Sequence, residues 1–279
     1  MGAPNMSRCW IIIPRFSDFD VWRSAIQGAA AEQGLRLTDV STSGAPGSED
    51  RLLLADDPSV LVHTVSTDKI VLLLTAGALE PPAWQDGSDQ RQGHVRRVTD
   101  QICRAMNGHS TELKLPSTHP GASLELFPGL SLVEPRARAD TDFGRTLTVF
   151  TDGHAFWSSE MFTLDPRHVR SGGAERLDVT GKPRFLVFGP YVTLPAGRWK
   201  ATFRLSFDEA ASRMNYWLDW GGTEHFARAE ARPGRPGVYE IHIEHESHHD
   251  EPFELRVVLT EGAFHGAIEF NGAEISKAG

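Results

Sequence analysis

Across residues 198–207 the side chains alternate without a break: Trp199, Ala201, Phe203, Leu205 and Phe207 fall on one side, Arg198, Lys200, Thr202, Arg204 and Ser206 on the other. Wound into a helix, that spacing would scatter the apolar groups round the whole circumference. The segment therefore predicts an antiparallel strand with one dry and one wet face. A dry face needs a second layer to cover it. Before the strand stands Leu194-Pro195-Ala196-Gly197, where proline fixes one φ and glycine tolerates a positive one. With the apolar stretch 185–194 this predicts a hairpin.

The same period of two runs through most of the C-terminal half. Strands are predicted over 146–151, 176–179, 184–188, 198–207, 214–220, 225–231, 238–244, 253–260 and 267–270, with no helix among them. Short strands separated by turns describe an antiparallel β-sandwich of jelly-roll kind.

The N-terminal half follows a different rule. Residues 8–13 form a continuous apolar run closed by Pro14, as in a strand covered on both faces. Val21, Trp22, Ala25, Ile26 and Ala29 then make a helical stripe ending at Gly34, with Ser17 and Asp20 at capping-box spacing. A strand over 35–40, a short helix over 50–55, a segment at 60–65 open to either assignment and a buried strand over 69–75 follow. The loop 77–88 carries Pro81, Pro82 and Trp84 and leads to a helix over 89–106, with Val95, Val98, Ile102 and Ala105 on one face and Asn107-Gly108 at its end. The fold class expected is α/β plus all-β: a small open α/β domain over 1–110, an ordered connector over 111–142 rich in Pro, Gly, Ser and Thr, and a β-sandwich over 143–279. A length of 279 residues agrees with two domains.

Composition narrows the function classes. A formal charge of −9 repels polyanions and argues against a nucleic-acid partner. The two cysteines, Cys9 and Cys103, lack metal-ligand spacing and are expected to be buried thiols. The chain shows neither a leader pattern nor an apolar run long enough for a membrane helix, so a cytoplasmic protein without a membrane span is expected, with export by a route that cleaves no signal as the alternative.

Few motifs carry chemistry. The turn Pro14-Arg15-Phe16-Ser17-Asp18 has no glycine for a phosphate to approach, which excludes dinucleotide and P-loop fingerprints. Arg15 and Ser17 are candidate anion contacts at the helix N-terminus; plain capping is the alternative. Asp18-Phe19-Asp20 and Asp140-Thr141-Asp142 share the D-x-D form of sugar-nucleotide glycosyltransferases and are read as caps and solvated turns. His245-Glu246-Ser247-His248-His249 matches the zinc motif H-E-x-x-H, yet Tyr239, Ile241 and Ile243 alternate as a strand and Pro252 follows closely, so the helix that motif requires is not expected. A weaker metal site from His245, His248, His249 and Asp250 stays open. The chain has no G-x-S-x-G and no cysteine in a nucleophile context; no cofactor is expected.

Parity along 214–220 singles out one aromatic residue. If Tyr216, Leu218 and Trp220 face the core, Trp217 points outward with Asn215 and Asp219. An exposed indole flanked by an amide and a carboxylate suits a sugar ring. Coverage of both faces is the alternative.

The segments FGPYVTLPAGRWKATFRL (188–205), YWLDW (216–220) and FELRVVLTEGAFHGAIEFNGAEI (253–275) resemble the carbohydrate-binding-module type of β-sandwich, especially the versions attached to bacterial polysaccharide-building glycosyltransferases. The resemblance implies sugar binding or domain scaffolding. The function expected is a non-catalytic carbohydrate-binding or scaffolding protein of bacterial surface-polysaccharide biology, partnered by a glycan or a polysaccharide-synthesis protein. Two alternatives stand beside it: an enzyme acting on a sugar or nucleotide through the N-terminal domain, and a structural homo-oligomer.

Overall fold

The computed structural model describes residues 8–43, 46–47, 50–64, 68–79, 88–119, 121–171 and 174–278. The expected loop features Pro81, Pro82 and Trp84 lie outside the described residues. The chain divides into two compact units, residues 1–85 with 100–141, and residues 86–99 with 142–279.

The first unit is built on a parallel sheet of β1 (Cys9–Ile12), β2 (Leu37–Asp39), β3 (Leu52–Ala55), β4 (Lys69–Leu73) and β5 (Thr111–Lys114), in the order β2-β3-β1-β4-β5. Ile11, Val71 and Leu73 face a cluster that includes Trp22 and Ile26 of the helix Phe19–Glu32, while Trp10, Ile12 and Leu72, of opposite parity, are equally sealed. Both faces are covered, which is why these strands read as unbroken apolar runs. Residues 52–55, expected as a helix, are the strand β3: all four side chains are buried and the segment pairs with β1 and β2. The ambiguous stretch near 60 is a 3-10 helix, Pro58–His63, opened by Asp57 accepting from the Ser59 amide at 2.8 Å. Within the segment expected as a connector, β5 completes the sheet, and β6 (Ser123–Phe127) with β7 (Leu130–Val133) forms an antiparallel pair whose Leu126, Phe127, Leu130 and Leu132 join the same core.

The second unit is a β-sandwich. Its strands are β8 (His154–Ser158), β9 (Thr163–Leu164), β10 (His168–Ser171), β11 (Ala174–Asp178), β12 (Arg184–Leu194), β13 (Gly197–Phe207), β14 (Tyr216–Gly222), β15 (Phe226–Ala231), β16 (Gly237–Ser247), β17 (Glu251–Leu259) and β18 (Ala267–Lys277). One sheet runs β10-β11-β18-β13-β16 with β8 also paired to β18; the other runs β15-β14-β17-β12-β9. All pairings are antiparallel. From β12 to β18 the chain passes repeatedly between the sheets, in jelly-roll manner.

Residues 194–197 are accordingly a crossing between sheets and not the expected hairpin: β12 pairs with β17 and β9, β13 with β16 and β18. The turn chemistry holds, with Gly197 at φ 147 and Trp199 Nε1 donating to the Pro195 carbonyl at 2.9 Å. Leu194 and Trp199, on either side of the turn, are both buried, as the dry faces of two packed sheets require. Residues 146–151, expected as a strand, lie in two short helices, Asp142–Thr146 and Thr148–Asp152; the latter stops at left-handed Gly153.

Aromatic rings fill the space between the sheets. Trp220 of β14 meets Trp157 of β8 with centroids 5.7 Å apart, and its Nε1 donates to the Trp199 carbonyl at 3.2 Å. Phe207 of β13 meets Tyr216 of β14 at 5.1 Å. Burying ring area of this kind is the largest stabilising contribution a sandwich core makes.

Candidate functional site on the sandwich

With Tyr216, Leu218 and Trp220 sealed in the core, β14 presents Trp217 and Asp219 on the outer face of its sheet. Strand register sets their neighbours. Trp217 lies between Glu230 of β15 and Val258 of β17, and the next row is Arg228, Asp219, Arg256 and Phe188.

Trp217 and Asp219 share a face but not an environment. Trp217 is 39% exposed, Asp219 only 1%. Arg228 closes over the carboxylate, Nε to Oδ1 at 2.6 Å and Nη2 to Oδ2 at 3.0 Å, in the two-pronged geometry guanidinium favours. The Asp219 hydrogen bond raises the Arg228 pKa above its ordinary value. The same guanidinium lies 4.1 Å from the centroid of Trp217, stacked as a cation on the indole. Asp219 thus fixes the cation that in turn fixes the ring. Asn215 is held at the start of the strand, its backbone and side-chain nitrogens both donating to Glu261 Oε1 at 2.8 and 3.0 Å.

Beside Trp217 the surface sinks into an open depression lined by Asn215, Tyr216, Glu230, Ala231, Arg232 and Thr260. A partly exposed indole wall with an acid, a guanidinium and a hydroxyl around it provides an apolar platform together with donors and acceptors. Sequence reasoning placed Trp217 and Asn215 here. It missed Arg228, Glu230, Arg232 and Thr260, whose positions depend on the register of β15 and β17 against β14 and leave no signal in their own segments.

A second cation-aromatic group stands further along the face. Arg256 lies 3.9 Å from the Phe226 centroid and 5.7 Å from that of Phe185, and its Nη2 donates at 2.6 Å to Glu254, itself 1% exposed. Glu254 also accepts from the Tyr191 hydroxyl at 2.9 Å. Among the described residues Tyr191 is the non-glycine residue with positive φ, at 65°, where the β12–β17 register shifts. Holding a bulky residue there is costly, and the bulge directs its hydroxyl to the buried acid.

The expected anion contacts sit in the first unit. Arg15 pairs with Asp56 and lies 5.4 Å from the Phe19 centroid, while Ser17 is exposed at the turn. The N-cap position of the helix Phe19–Glu32 is Asp18 rather than Ser17, and the Asp18 side chain makes no capping hydrogen bond. That carboxylate is buried and accepts from Trp22 Nε1 at 3.1 Å, the Gly77 amide at 2.9 Å and the Thr75 hydroxyl. Gly77 has to be glycine, since a Cβ there would stand 2.4 Å from Asp18 Oδ1 and 2.6 Å from Ser17 Oγ. Of the thiols, Cys103 is buried and Cys9 only partly so.

The histidine-rich segment is strand and turn: β16 runs to Ser247 and β17 starts at Glu251. His245 packs inward, edge-on to Phe253 at 5.7 Å, with Nε2 4.0 Å from Glu251 Oε1. Desolvation lowers its pKa below the ordinary histidine value, opposed by Glu251 and assisted by His225. Asp250 instead accepts from the Ala196 amide at 3.1 Å. Among the described residues no three His, Cys, Asp or Glu side chains come together as metal ligands, and no helix is long and apolar enough to cross a membrane.

No protein-family model and no curated protein matches the sequence. Among solved structures the chain is similar to the CBM36-1 domain of a multidomain xylanase from the hindgut metagenome of Trinervitermes trinervoides, at 13% identity and TM-score 0.31, over 45% of this chain and 98% of that one. The C-terminal family 6 carbohydrate-binding module of LamC from Zobellia galactanivorans is similar at 14% identity and TM-score 0.30, over 44% and 99%. A glycosylation associate protein complex from Streptococcus agalactiae is similar over 97% of this chain and 50% of that one, at 10% identity and TM-score 0.31. The sandwich itself is defined by its strand pairing.

Proposed function

We propose that the protein binds carbohydrate without transforming it, through the outer face of β14 and β15, and that its setting is bacterial surface-polysaccharide biology on the cytoplasmic side. The observation that carries the reading is Trp217: an indole part open to solvent, held by Arg228 on the buried carboxylate of Asp219, at the rim of a depression lined by Asn215, Glu230, Arg232 and Thr260. A pyranose stacks its C–H face on such a ring while its hydroxyls meet the surrounding polar groups. Removing Asp219 would release Arg228 and loosen the platform, so Asp219 is a positioning residue and Trp217 the contact.

The test is a glycan array on the intact protein, followed by titration of the best ligand into Trp217→Ala. The mutant is expected to keep its melting temperature nearly unchanged, at a cost well below the ~3 to 5 kcal/mol of a core tryptophan truncation, and to lose most of its affinity. Unchanged affinity moves the site elsewhere; a large fall in melting temperature makes Trp217 a structural residue.

A further inference from the structure

The other sheet carries its own opening. β8 alternates Ala155 and Trp157 inward, and Phe156 between them is 52% exposed. The strands beyond it align a row across the outer face: Phe156, Glu274, Thr202 and His242. In the adjoining row Arg204 is paired with Glu240 at 2.8 Å, and between Phe203 and Leu205 the register of β13 against β18 shifts. Asn271 and Gly272 occupy that shift. Gly272 has φ 110, and a Cβ there would stand 2.3 Å from the Trp157 carbonyl and 3.0 Å from the Phe156 ring. Glycine at this position therefore lets β18 lie close against β8 at the bulge, and beside it the surface sinks into a small depression. Phe156, Thr202, Arg204, Glu240, Asn271 and Glu274 surround it.

We propose that this hollow is a second carbohydrate site, separate from the Trp217 face and rested on the same carbohydrate-binding reading. The occupant is one uncharged pyranose unit of a glycan. Phe156 is an apolar surface of ring size beside the polar side chains of Thr202, Arg204, Glu240, Asn271 and Glu274, of which the Asn271 amide and Arg204 donate and the Glu274 and Glu240 carboxylates accept. Arg204 is balanced by Glu240 and Glu274 adds a negative charge, which disfavours an anionic sugar. A scattered surface phenylalanine is common; one at the wall of a depression beside a β-bulge, with polar groups of both kinds round it, is a shaped surface.

The experiment records amide and side-chain amide spectra of the intact, nitrogen-labelled protein while xylohexaose and β-1,4-galactotriose are added separately to millimolar concentration. The Gly272 amide and the Asn271 side chain are expected to shift with at least one sugar. Phe156→Ala should weaken that response by roughly tenfold, the scale of losing one stacking partner, and Trp217→Ala should leave it intact. If Phe156→Ala loses spectral dispersion, Glu274→Gln replaces it, with the same weakening expected. Shifts confined to the surroundings of Trp217 overturn this site and leave the first standing. Shifts at Gly272 with Trp217 silent uphold this site and remove the first. Silence at both positions with both sugars overturns both.

Discussion

Asp219 and Arg228 form an unequal pair: the carboxylate is 2% exposed in its side chain, the guanidinium 43%. Removing the half-exposed partner leaves a charge shut away from water, whereas removing the buried one leaves a cation that solvent can reach. Truncating one side of a buried pair costs several kcal/mol when the survivor cannot be hydrated. Arg228→Met is therefore expected to destabilise the protein by about 3 kcal/mol and Asp219→Asn by about 1 kcal/mol. Chemical denaturation of both variants checks the ordering, and a larger loss for Asp219→Asn would mean that Arg256, next to Asp219 in register, neutralises the carboxylate instead. Both variants are also expected to weaken glycan binding at Trp217, because each frees the indole from its stacked cation.

The end of β16 makes a pH-dependent contribution of definite sign. His245 faces Phe253 and the Glu251 carboxylate from β17 and feels His225, which precedes β15; burial is the largest influence and lowers its pKa. The folded state thus binds a proton less readily than the unfolded chain. The unfolded chain then holds more protons, so stability rises with pH and is lost as pH falls through the ordinary histidine value of about 6.5 towards the depressed folded value. A lower melting temperature at about pH 5.5 than at about pH 7.5 is expected, and His245→Asn should remove part of that difference. An identical slope in the variant would assign the effect to other groups. The sheet crossing at residues 194–197 is tied to the same region, since Asp250 accepts from the Ala196 amide.

For the whole molecule, the proposed division into 1–110, 111–142 and 143–279 yields a test at its last boundary. Residues 86–99 belong with the sandwich unit, where Thr99 Oγ1 accepts from the Thr193 amide at 2.9 Å and Gln92 Nε2 donates to Thr163 Oγ1 at 2.6 Å. A fragment of residues 143–279 forfeits both. It is expected to show a β-type circular dichroism spectrum yet melt below a fragment of residues 86–279, since the buried Thr193 amide loses its acceptor. A 143–279 fragment with no cooperative melt overturns the boundary.

Sequence alone determined what depends on a residue's own neighbours along the chain. The alternation of residues 198–207, the apolar runs at 8–13 and 69–75 and the stripe of Val95, Val98 and Ile102 each specify an element by period, because side-chain direction is a local property of backbone geometry. The same parity placed Trp217 and Asp219 on one face. What it left undecided was everything set by partners distant in sequence. Residues 50–55 read as a short helix, and pairing with β1 and β2 made 52–55 a strand. The proline-glycine turn at 194–197 was legible as a turn, but whether it joined partners in one sheet or crossed to the other depended on β16, β17 and β18. The environments of Trp217 and Asp219 differ because register sets Arg228 beside them, and the hollow at Phe156 exists because β18 slips against β13. Register between strands is a tertiary quantity, fixed by how two apolar faces interlock, and a single strand's sequence does not contain it.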